Sequence, residues 1–201
     1  TYDYYFEPTA AYFGCKKANE PLHIQWNAAT DEIEVVNYHA GAHPALTATA
    51  QIINLDGSVA WEKSAEVNSD EDTTISCIKL EFPTSLSAAH FVKLYLAEGD
   101  KIISDNFYIR GTEEGNYQAI NTMPKIKLEQ ATTTSQQDGI WKGSITLKNN
   151  SDTPALMIRI NVVGDGDGEQ DARDGQLQNV SVDCFHYLYL PSSSSMPRYE
   201  E

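Results

Sequence analysis

The sequence contains few cysteines and little positive charge, and each shortage excludes a class of protein. Its 201 residues include three cysteines, Cys15, Cys77 and Cys184, too few and too far apart for a disulfide framework. We expect all three to be small buried or half-buried side chains. Lys and Arg total 14 against 29 Asp and Glu, a formal net charge of −15. Nucleic acid and anionic membrane surfaces would be repelled, so neither is expected as a partner.

The sequence also lacks a membrane-spanning run and the length of a barrel enzyme. No apolar stretch approaches the ~20 residues that a spanning helix needs. A (β/α)8 barrel takes about 250 residues in alternating strands and helices, so a complete barrel is excluded. With 41% hydrophobic and 10% aromatic residues, the chain can nevertheless form one large or two small domains with a buried core.

Catalytic signatures are missing as well. The sequence has no Gly-x-Ser-x-Gly nucleophile elbow and no glycine-rich phosphate loop, and we expect no cofactor. Glu113 and Glu114 are adjacent, but they fall in a polar, glycine-containing segment where exposure to solvent explains them. A retaining glycosidase needs two carboxyl groups about 5–5.5 Å apart. No such pair is assigned, and the sequence predicts no catalytic residue.

Two groups of residues resemble metal ligands. His39 and His43 are four residues apart, but they fall in a predicted loop and lack a third ligand, so zinc is not expected. Four acidic residues follow the spacing of the first ligands of a calcium loop: Asp165, Asp167, Glu169 and Asp171. Gln170 replaces the glycine that such a loop requires. A solvated hairpin turn is therefore favoured, and a weak calcium site is the alternative.

A short helix is predicted within residues 1–21. Thr9 stands where an N-cap residue is expected, and Lys16 and Lys17 stand where the helix dipole favours positive charge. The sequence Asn-Glu-Pro at residues 19–21 ends the helix. We predict a helix of two to three turns.

From residue 22 the apolar pattern changes to period two. Leu46, Ala48 and Ala50 alternate with polar residues, as in a strand with one buried face. Seven short strands separated by turn residues, without alternating helices, predict an immunoglobulin-like β-sandwich over residues 22–111. The predicted strands are residues 22–26, 33–38, 46–52, 59–67, 73–82, 91–97 and 102–109.

A second, smaller immunoglobulin-like β-sandwich is predicted over residues 124–190, after a polar linker at residues 112–123. Residues 149–154 have strong turn chemistry, and the serine-rich residues 191–201 indicate a disordered tail. The fold class is therefore all-β, with two β-sandwich domains preceded by a short helix. Strands of the second domain are predicted at residues 125–129, 141–148, 155–163 and 180–182.

The start of the chain resembles a known family. Residues 4–25, YYFEPTAAYFGCKKANEPLHIQ, resemble the segment that leaves the catalytic barrel in glycoside hydrolase family 2 enzymes of the β-mannosidase and exo-β-glucosaminidase type, where an immunoglobulin-like domain follows. Residues 104–108 and 116–120 resemble the last strand of that domain and the linker after it. Residues 123–168 are similar to the final immunoglobulin-like domain of the exo-β-glucosaminidase group. The resemblance ends at Asp171.

The resemblance implies that the chain is the C-terminal accessory part of a longer enzyme that hydrolyses terminal β-linked sugars with retention. The short helix would be left from the (β/α)8 barrel, and the partner would be the catalytic barrel of the same polypeptide. Both catalytic glutamates would lie upstream of Thr1, so we expect the chain itself to be inactive. The resemblance also implies a periplasmic or secreted location.

A carbohydrate-binding module is the alternative function, and an oligosaccharide would then be a partner. Such a module stacks sugar rings on exposed aromatic side chains, for which the candidates are Trp26, Trp61 and Trp141 with Tyr38, Tyr95 and Tyr117. Alternation along strands does not decide which of them face solvent, although Trp61 is better explained by packing. An adhesion sandwich of a cell surface is a third alternative, which leaves residues 4–25 unexplained.

Overall fold

The computed structural model describes residue 4 and residues 9–137, 140–159 and 185–189. Over these residues the chain is mostly β-sheet, and none of their helices is long and apolar enough to cross a membrane. The helices are α1 (Ala10–Ala18) and a 3-10 helix (Gln118–Thr122). The strands are β1 (Leu22–Asn27), β2 (Glu32–Asn37), β3 (His43–Asn54), β4 (Val59–Ser69), β5 (Thr73–Lys79), β6 (Ala89–Glu98), β7 (Lys101–Gly111), β8 (Glu129–Gln137), β9 (Ile140–Lys148), β10 (Ala155–Arg159) and β11 (Phe185–Tyr189).

The predicted helix near the start of the chain is present as α1. Thr9 is its N-cap residue, without a side-chain capping hydrogen bond, and two lysines lie in its last turn. The side-chain amide of Asn19 donates to the carbonyl oxygen of Cys15 at 2.7 Å, which satisfies one of the free carbonyl groups at the helix end. No side chain of α1 is fully buried. Cys15 is exposed, so the expectation that it is buried or half-buried is wrong.

Strands β1 to β7 form the first module, a β-sandwich of two antiparallel sheets in which all seven predicted strands are present. One sheet has the strand order β1-β2-β5 and the other β4-β3-β6-β7. Burial of apolar side chains between them stabilises the fold through the hydrophobic effect. The buried side chains include Ile24, Ile33, Val35 and Ile78 from the first sheet and Leu46, Ala48, Ala50, Val92, Leu94 and Leu96 from the second.

Strand β5 ends at Lys79, before the end of the strand predicted at residues 73–82. Its last residue, Lys79, pairs with Glu32, the first residue of β2, so the residues that follow have no strand to pair with. The backbone amide of Leu80 donates instead to the carbonyl oxygen of Asp31 at 2.8 Å. Leu80 and Phe82 still pack on the core. The apolar pattern of a sequence therefore predicts which residues are buried, but it does not predict where the neighbouring strand ends.

Strands β8 to β11 form the second module, which in its described part contains two antiparallel pairs, β8-β9 and β10-β11. The predicted strand at residues 125–129 is wrong except for its last residue, because β9 ends at Lys148, which pairs with Glu129. Strand β11 pairs with β10 and was not predicted. The predicted strand at residues 180–182, the last residues of the one at 155–163 and the tail at 191–201 lie outside the described residues.

The two modules are in contact with each other. Ile53 and Phe91 are fully buried in a small apolar cluster that includes Met123, from the connection between the modules, and Leu156, from β10. Successive residues of a strand point to opposite faces, and Val92 faces the core of the sandwich. Phe91 therefore faces outward, and the second module covers part of the outer face of the four-stranded sheet.

Candidate functional site

The aromatic side chains proposed to stack on sugars do not share one environment. Trp26 and Trp61 are half-buried and pack against the core of the first module, and Tyr95 is 8% exposed. Tyr38 and Tyr117 are exposed, by 64% and 47%. Trp141 belongs to β9, but its side chain lies outside the described part of the structure. Sugar stacking remains a prediction, and among the candidates whose side chains are described Tyr38 is the most exposed.

Trp26 is held by other aromatic rings at one end of the sandwich. Its ring centroid lies 5.5 Å from that of Tyr108 in an edge-to-face arrangement and 6.1 Å from that of Phe82. The guanidinium of Arg110 lies 3.9 Å from the Phe82 centroid. Trp26 Nε1 and His90 Nε2 are buried and have no hydrogen-bond partner among the described residues. These contacts make Trp26 part of the packed interior rather than a free platform.

His39 and His43 do not share a binding site. The Nδ1 atom of His39 lies 3.3 Å from a carboxylate oxygen of Glu71, and that of His43 lies 3.2 Å from one of Glu98. The ring of His39 also lies beside that of Tyr38, with centroids 4.4 Å apart and the ring planes tilted by 56°. Among the described residues no group of three or more His, Cys, Asp or Glu side chains is placed to hold a metal ion.

The adjacent glutamates after β7 are exposed to solvent, as the sequence predicts. Glu113 lies exposed in the connection after β7, where the side-chain amide of Asn116 donates to it at 3.1 Å. Glu114 is exposed beside it. The calcium candidates Asp165, Asp167 and Glu169 lie outside the described residues, and the calcium site remains a prediction.

Alternate residues of β7 satisfy the free edge of β1, which belongs to the opposite sheet. The backbone amide of Ile24 donates to Ser104 Oγ at 3.4 Å, and the side-chain amide of Asn106 donates to the carbonyl oxygen of Ile24 at 3.2 Å. The backbone amide of Trp26 donates to the hydroxyl of Tyr108 at 3.1 Å. Three side chains thus replace the missing neighbour strand and link the two sheets.

Asp105 lies between these residues in sequence and faces the other way, toward two lysines. Its carboxylate pairs with Lys17 of α1 at 2.8 Å and with Lys93 of β6. Lys17 also pairs with Glu20 at 2.8 Å, and Glu20 accepts a hydrogen bond of 2.8 Å from Ser104 Oγ. The side chain of Lys93 is 8% exposed. This group ties α1 to the sandwich through charged contacts.

Burial and charge act in opposite directions on these groups. Burial would raise the pKa of Asp105, but Lys93 and Lys17 outweigh it and hold that pKa well below its ordinary value. Burial would lower the pKa of Lys17, but Asp105 and Glu20 outweigh it and raise that pKa. For Lys93 burial is the larger effect and lowers the pKa, although Asp105 opposes it. The carboxylate of Asp105 is therefore the group that both ammonium groups depend on.

This charged group was missed by sequence reasoning, although the sequence carries a signal for it. Lys93 interrupts the apolar run of β6, in which every residue from Ala89 to Leu96 is buried. A lysine is almost never fully buried without a partner. Asp105 is a candidate for that partner, because it is an acidic residue in β7, the strand that follows β6 in the sequence. The pairing of β6 with β7 makes the contact.

Two family models match the chain. Residues 31–110 match the mannosidase immunoglobulin-like and carbohydrate-binding-module-like domain, and residues 106–172 match the immunoglobulin-fold domain of exo-β-D-glucosaminidase. The exo-β-D-glucosaminidase of Streptomyces avermitilis is 28% identical over 186 residues, which cover 80% of this chain and 21% of the relative. A mannosylglycoprotein endo-β-mannosidase of Lilium longiflorum is 32% identical over 112 residues, which cover 53% of this chain and 12% of the relative.

A solved structure supports the same fold. The exo-chitosanase of Amycolatopsis orientalis superposes with a TM-score of 0.70 at 24% identity, over 78% of this chain and 21% of that protein. The sequence of an exo-β-D-glucosaminidase from the same organism is 27% identical, over 81% of this chain and 18% of the relative. The chain therefore spans about a fifth of the length of the curated exo-β-D-glucosaminidases that it matches.

Proposed function

Because the chain consists of immunoglobulin-like domains of the exo-β-glucosaminidase and mannosidase type, we propose that it is the non-catalytic accessory part of a retaining exo-β-glycosidase of glycoside hydrolase family 2. In this role it packs on the catalytic barrel of the same polypeptide and supports it. The observation that carries the proposal is that the similarity covers most of this chain but only about a fifth of each glucosaminidase. The α1 helix would be the last element of the barrel.

The contacts within the chain suit a supporting role. The two modules share an apolar cluster around Phe91, and α1 is joined to the first module through Asp105. Such contacts favour a defined shape over a flexible string of domains. The names of the relatives favour a terminal β-linked glucosamine as the sugar that the whole enzyme removes. A periplasmic or secreted location is proposed on the same resemblance.

Truncation of the full-length protein tests this function. A form that ends just after Ala18, the last residue of α1, keeps the proposed barrel with this helix and loses both modules. We expect its melting temperature to fall by at least several degrees, because an apolar and charged contact surface becomes exposed. Its turnover of p-nitrophenyl β-D-glucosaminide should fall with it. A truncated form with the stability and turnover of the full-length protein would contradict the proposed support.

Binding of carbohydrate is the second candidate function, and the exposure of Tyr38 favours it. The ring lies beside that of His39, which in turn faces the carboxylates of Glu71 and Asp72. Isothermal titration of the chain with chitosan and mannan oligosaccharides decides this candidate, with Tyr38→Ala as the variant. The net charge of −15 predicts salt-sensitive binding of the cationic chitosan. Heats at background would exclude binding at millimolar affinity.

A further inference from the structure

His90 in β6 is a histidine that the fold encloses completely. Its exposed fraction is 0%, and it faces inward because the alternate residues Val92 and Leu94 belong to the core of the first module. The centroid of its ring lies 5.9 Å from that of Phe82. The guanidinium of Arg110 lies against the same phenyl ring, 3.9 Å from its centroid. The imidazole is therefore shielded from water, and its charge depends on the protein groups around it.

The contacts of the ring hold it in the neutral form. Nδ1 of His90 lies 3.3 Å from the carbonyl oxygen of Ser87, and a carbonyl only accepts, so Nδ1 carries the hydrogen. Nε2 is then the nitrogen without a hydrogen. It is buried and has no hydrogen-bond partner among the described residues. A proton added at Nε2 would create a buried positive charge whose N–H group has no acceptor, which is costly in free energy.

The elements packed around the ring contribute a positive charge and no compensating carboxylate among the described residues. Arg110 of β7 pairs in register with His90, and the register partner in β3 is the uncharged Asn54. The inward-facing side chains of β1 are uncharged, and the 3-10 helix contains no charged residue. Glu81 in the loop after β5 and Glu113 after β7 are both exposed.

This environment makes the closed form of the fold sensitive to acid. Burial lowers the pKa of His90 and Arg110 lowers it further, although the hydrogen bond to Ser87 acts in the opposite direction. A histidine in contact with water has a pKa of about 6.5. As the pH falls through that value, an open form binds a proton that the closed form does not, so the closed form loses stability. Above about pH 7 the ring is neutral in both forms and the effect is absent.

His90 lies directly beside the contact between the two modules. The next register pair along β6 and β7 is Phe91 with Ile109, on the opposite face of the sheet. Both side chains belong to the small apolar cluster through which the second module contacts the first, together with Met123 and Leu156. A movement of His90 toward water therefore shifts the backbone that carries this contact.

The connection to the second module begins at the same strand ends. Thr112, the first residue after β7, donates its backbone amide to the carbonyl oxygen of Ala88, just before β6, at 2.8 Å. Gly111 is buried, and a Cβ atom added there would stand 2.4 Å from the carbonyl oxygen of Asn116. The strand ends and the first turn of the connection are thus packed as one unit, and His90 is enclosed while this unit stays closed.

We propose that His90 makes the contact between the two modules sensitive to acid. When Nε2 takes a proton from solvent, the paired ends of β6 and β7 open so that the imidazolium reaches water, and the second module is released from Phe91 and Ile109. Acid therefore shifts the chain toward a form in which the modules are joined through their connection, and a return to neutral pH reverses the shift. This device needs no catalytic domain and does not rest on the proposed function.

Hydrogen exchange of the whole chain at pH 7.5 and pH 5.5, read by mass spectrometry, tests the proposal. The rates are first corrected for the pH dependence of the exchange chemistry itself. Amides of residues 89–94 and 107–111 should then exchange about tenfold faster at pH 5.5, because protonation of a group with a pKa of about 6.5 favours the open form by that factor. Amides of β2 in the opposite sheet should change less than about two-fold.

Two histidine variants identify the residue responsible. His90→Asn keeps an amide N–H in the place of Nδ1 for the bond to Ser87 and removes the titrating ring, so the tenfold difference should disappear. His43→Asn is the matched control, because His43 is a half-buried histidine at the opposite end of the four-stranded sheet, beside Glu98. It should leave the difference unchanged. A difference that persists in His90→Asn would overturn the proposal.

A titration of the unchanged chain keeps the test decisive if His90→Asn does not fold. The NMR signals of the His90 ring should show a neutral imidazole with its proton on Nδ1 at pH 7.5 and a titration midpoint below about 6.5. A ring that titrates above that value would contradict the proposal, and so would equal exchange at the two pH values over residues 89–111. A tenfold increase shared by β2 would contradict it too, because acid would then unfold the whole sandwich rather than open one end.

Discussion

Gly57, in the turn between β3 and β4, lies against the backbone carbonyl oxygen of Asp152 in the turn before β10. A Cβ atom added at Gly57 would stand 2.2 Å from that oxygen, closer than side chains approach. The residue also has a φ angle of +86°, which disfavours any side chain. Two turns from different modules therefore meet at a position where only glycine fits without movement.

Substitution of Gly57 tests whether this contact joins the modules. Gly57→Ala should lower the free energy of unfolding by about 2–4 kcal/mol, from the positive φ angle and the forced separation of the two turns. Gly41→Ala is the matched control, because Gly41 has a φ of +76° and open space around its Cβ position. It should cost about 1–2 kcal/mol. Urea denaturation measures both, and equal losses would show that the modules do not meet at Gly57.

The hydroxyl of Tyr108 should matter for stability although its ring stays packed without it. Tyr108→Phe removes the acceptor of the Trp26 backbone amide and leaves a half-buried N–H group without a partner. The expected loss is about 1–3 kcal/mol in the free energy of unfolding. Tyr117→Phe, at an exposed position, should change it by less than about 0.5 kcal/mol. Similar values for the two variants would mean that the hydrogen bond from the Trp26 amide to Tyr108 does not stabilise the edge of β1.

The acid stability of the chain should depend on Asp105. Because the lysines hold its pKa in the folded state below the value of about 3.9 in an unfolded chain, the unfolded state binds the proton first as the pH falls. Its contribution is therefore complete above about pH 5 and is lost as the pH falls through 4 and below. Thermal denaturation between pH 3 and pH 7 should show a smaller acid loss for Asp105→Asn. Parallel curves for the two proteins would contradict the ion pairs.

The two described cysteines should differ strongly in reactivity. Cys15 is exposed in α1, whereas burial raises the pKa of Cys77 to about 11. At pH 8 roughly one Cys77 thiol in a thousand is then ionised. Iodoacetamide should modify Cys15 in the native chain and Cys77 only after unfolding, as followed by peptide mass spectrometry in a Cys184→Ser background. Rapid native modification of Cys77 would show that β5 opens readily.

The sequence predicted the elements whose own residues determine their geometry. Alternating apolar residues predicted the strands of the first module, and the lysines and the proline around α1 predicted its position. The strand predicted at residues 125–129 was wrong, because β8 spans Glu129–Gln137 in pairing with β9, the next strand along the chain. The end of β5 was mispredicted because a strand stops where its neighbour stops, and that neighbour, β2, is distant in sequence. Strand β11 was missed for the same reason. Its pairing with β10 joins residues 155–159 to residues 185–189.

The candidate site was less accessible to sequence reasoning. Asp105 gains its role from one lysine in β6 and another in α1, and no short motif contains all three. Trp26 stood as a candidate for sugar stacking because its strand alternates. The structure places it against Tyr108 and Phe82, which come from β7 and from the loop after β5. Contacts between elements that are far apart in the chain decided both outcomes.

The most direct measurement of the central claim is a turnover assay on the purified chain of 201 residues. The substrates are p-nitrophenyl β-D-glucosaminide and p-nitrophenyl β-D-mannoside, with the full-length protein as the positive control. If the chain is an accessory part without catalytic groups, release of p-nitrophenol will equal that of the buffer blank at every substrate concentration. Saturable release that co-purifies with the chain would contradict the account.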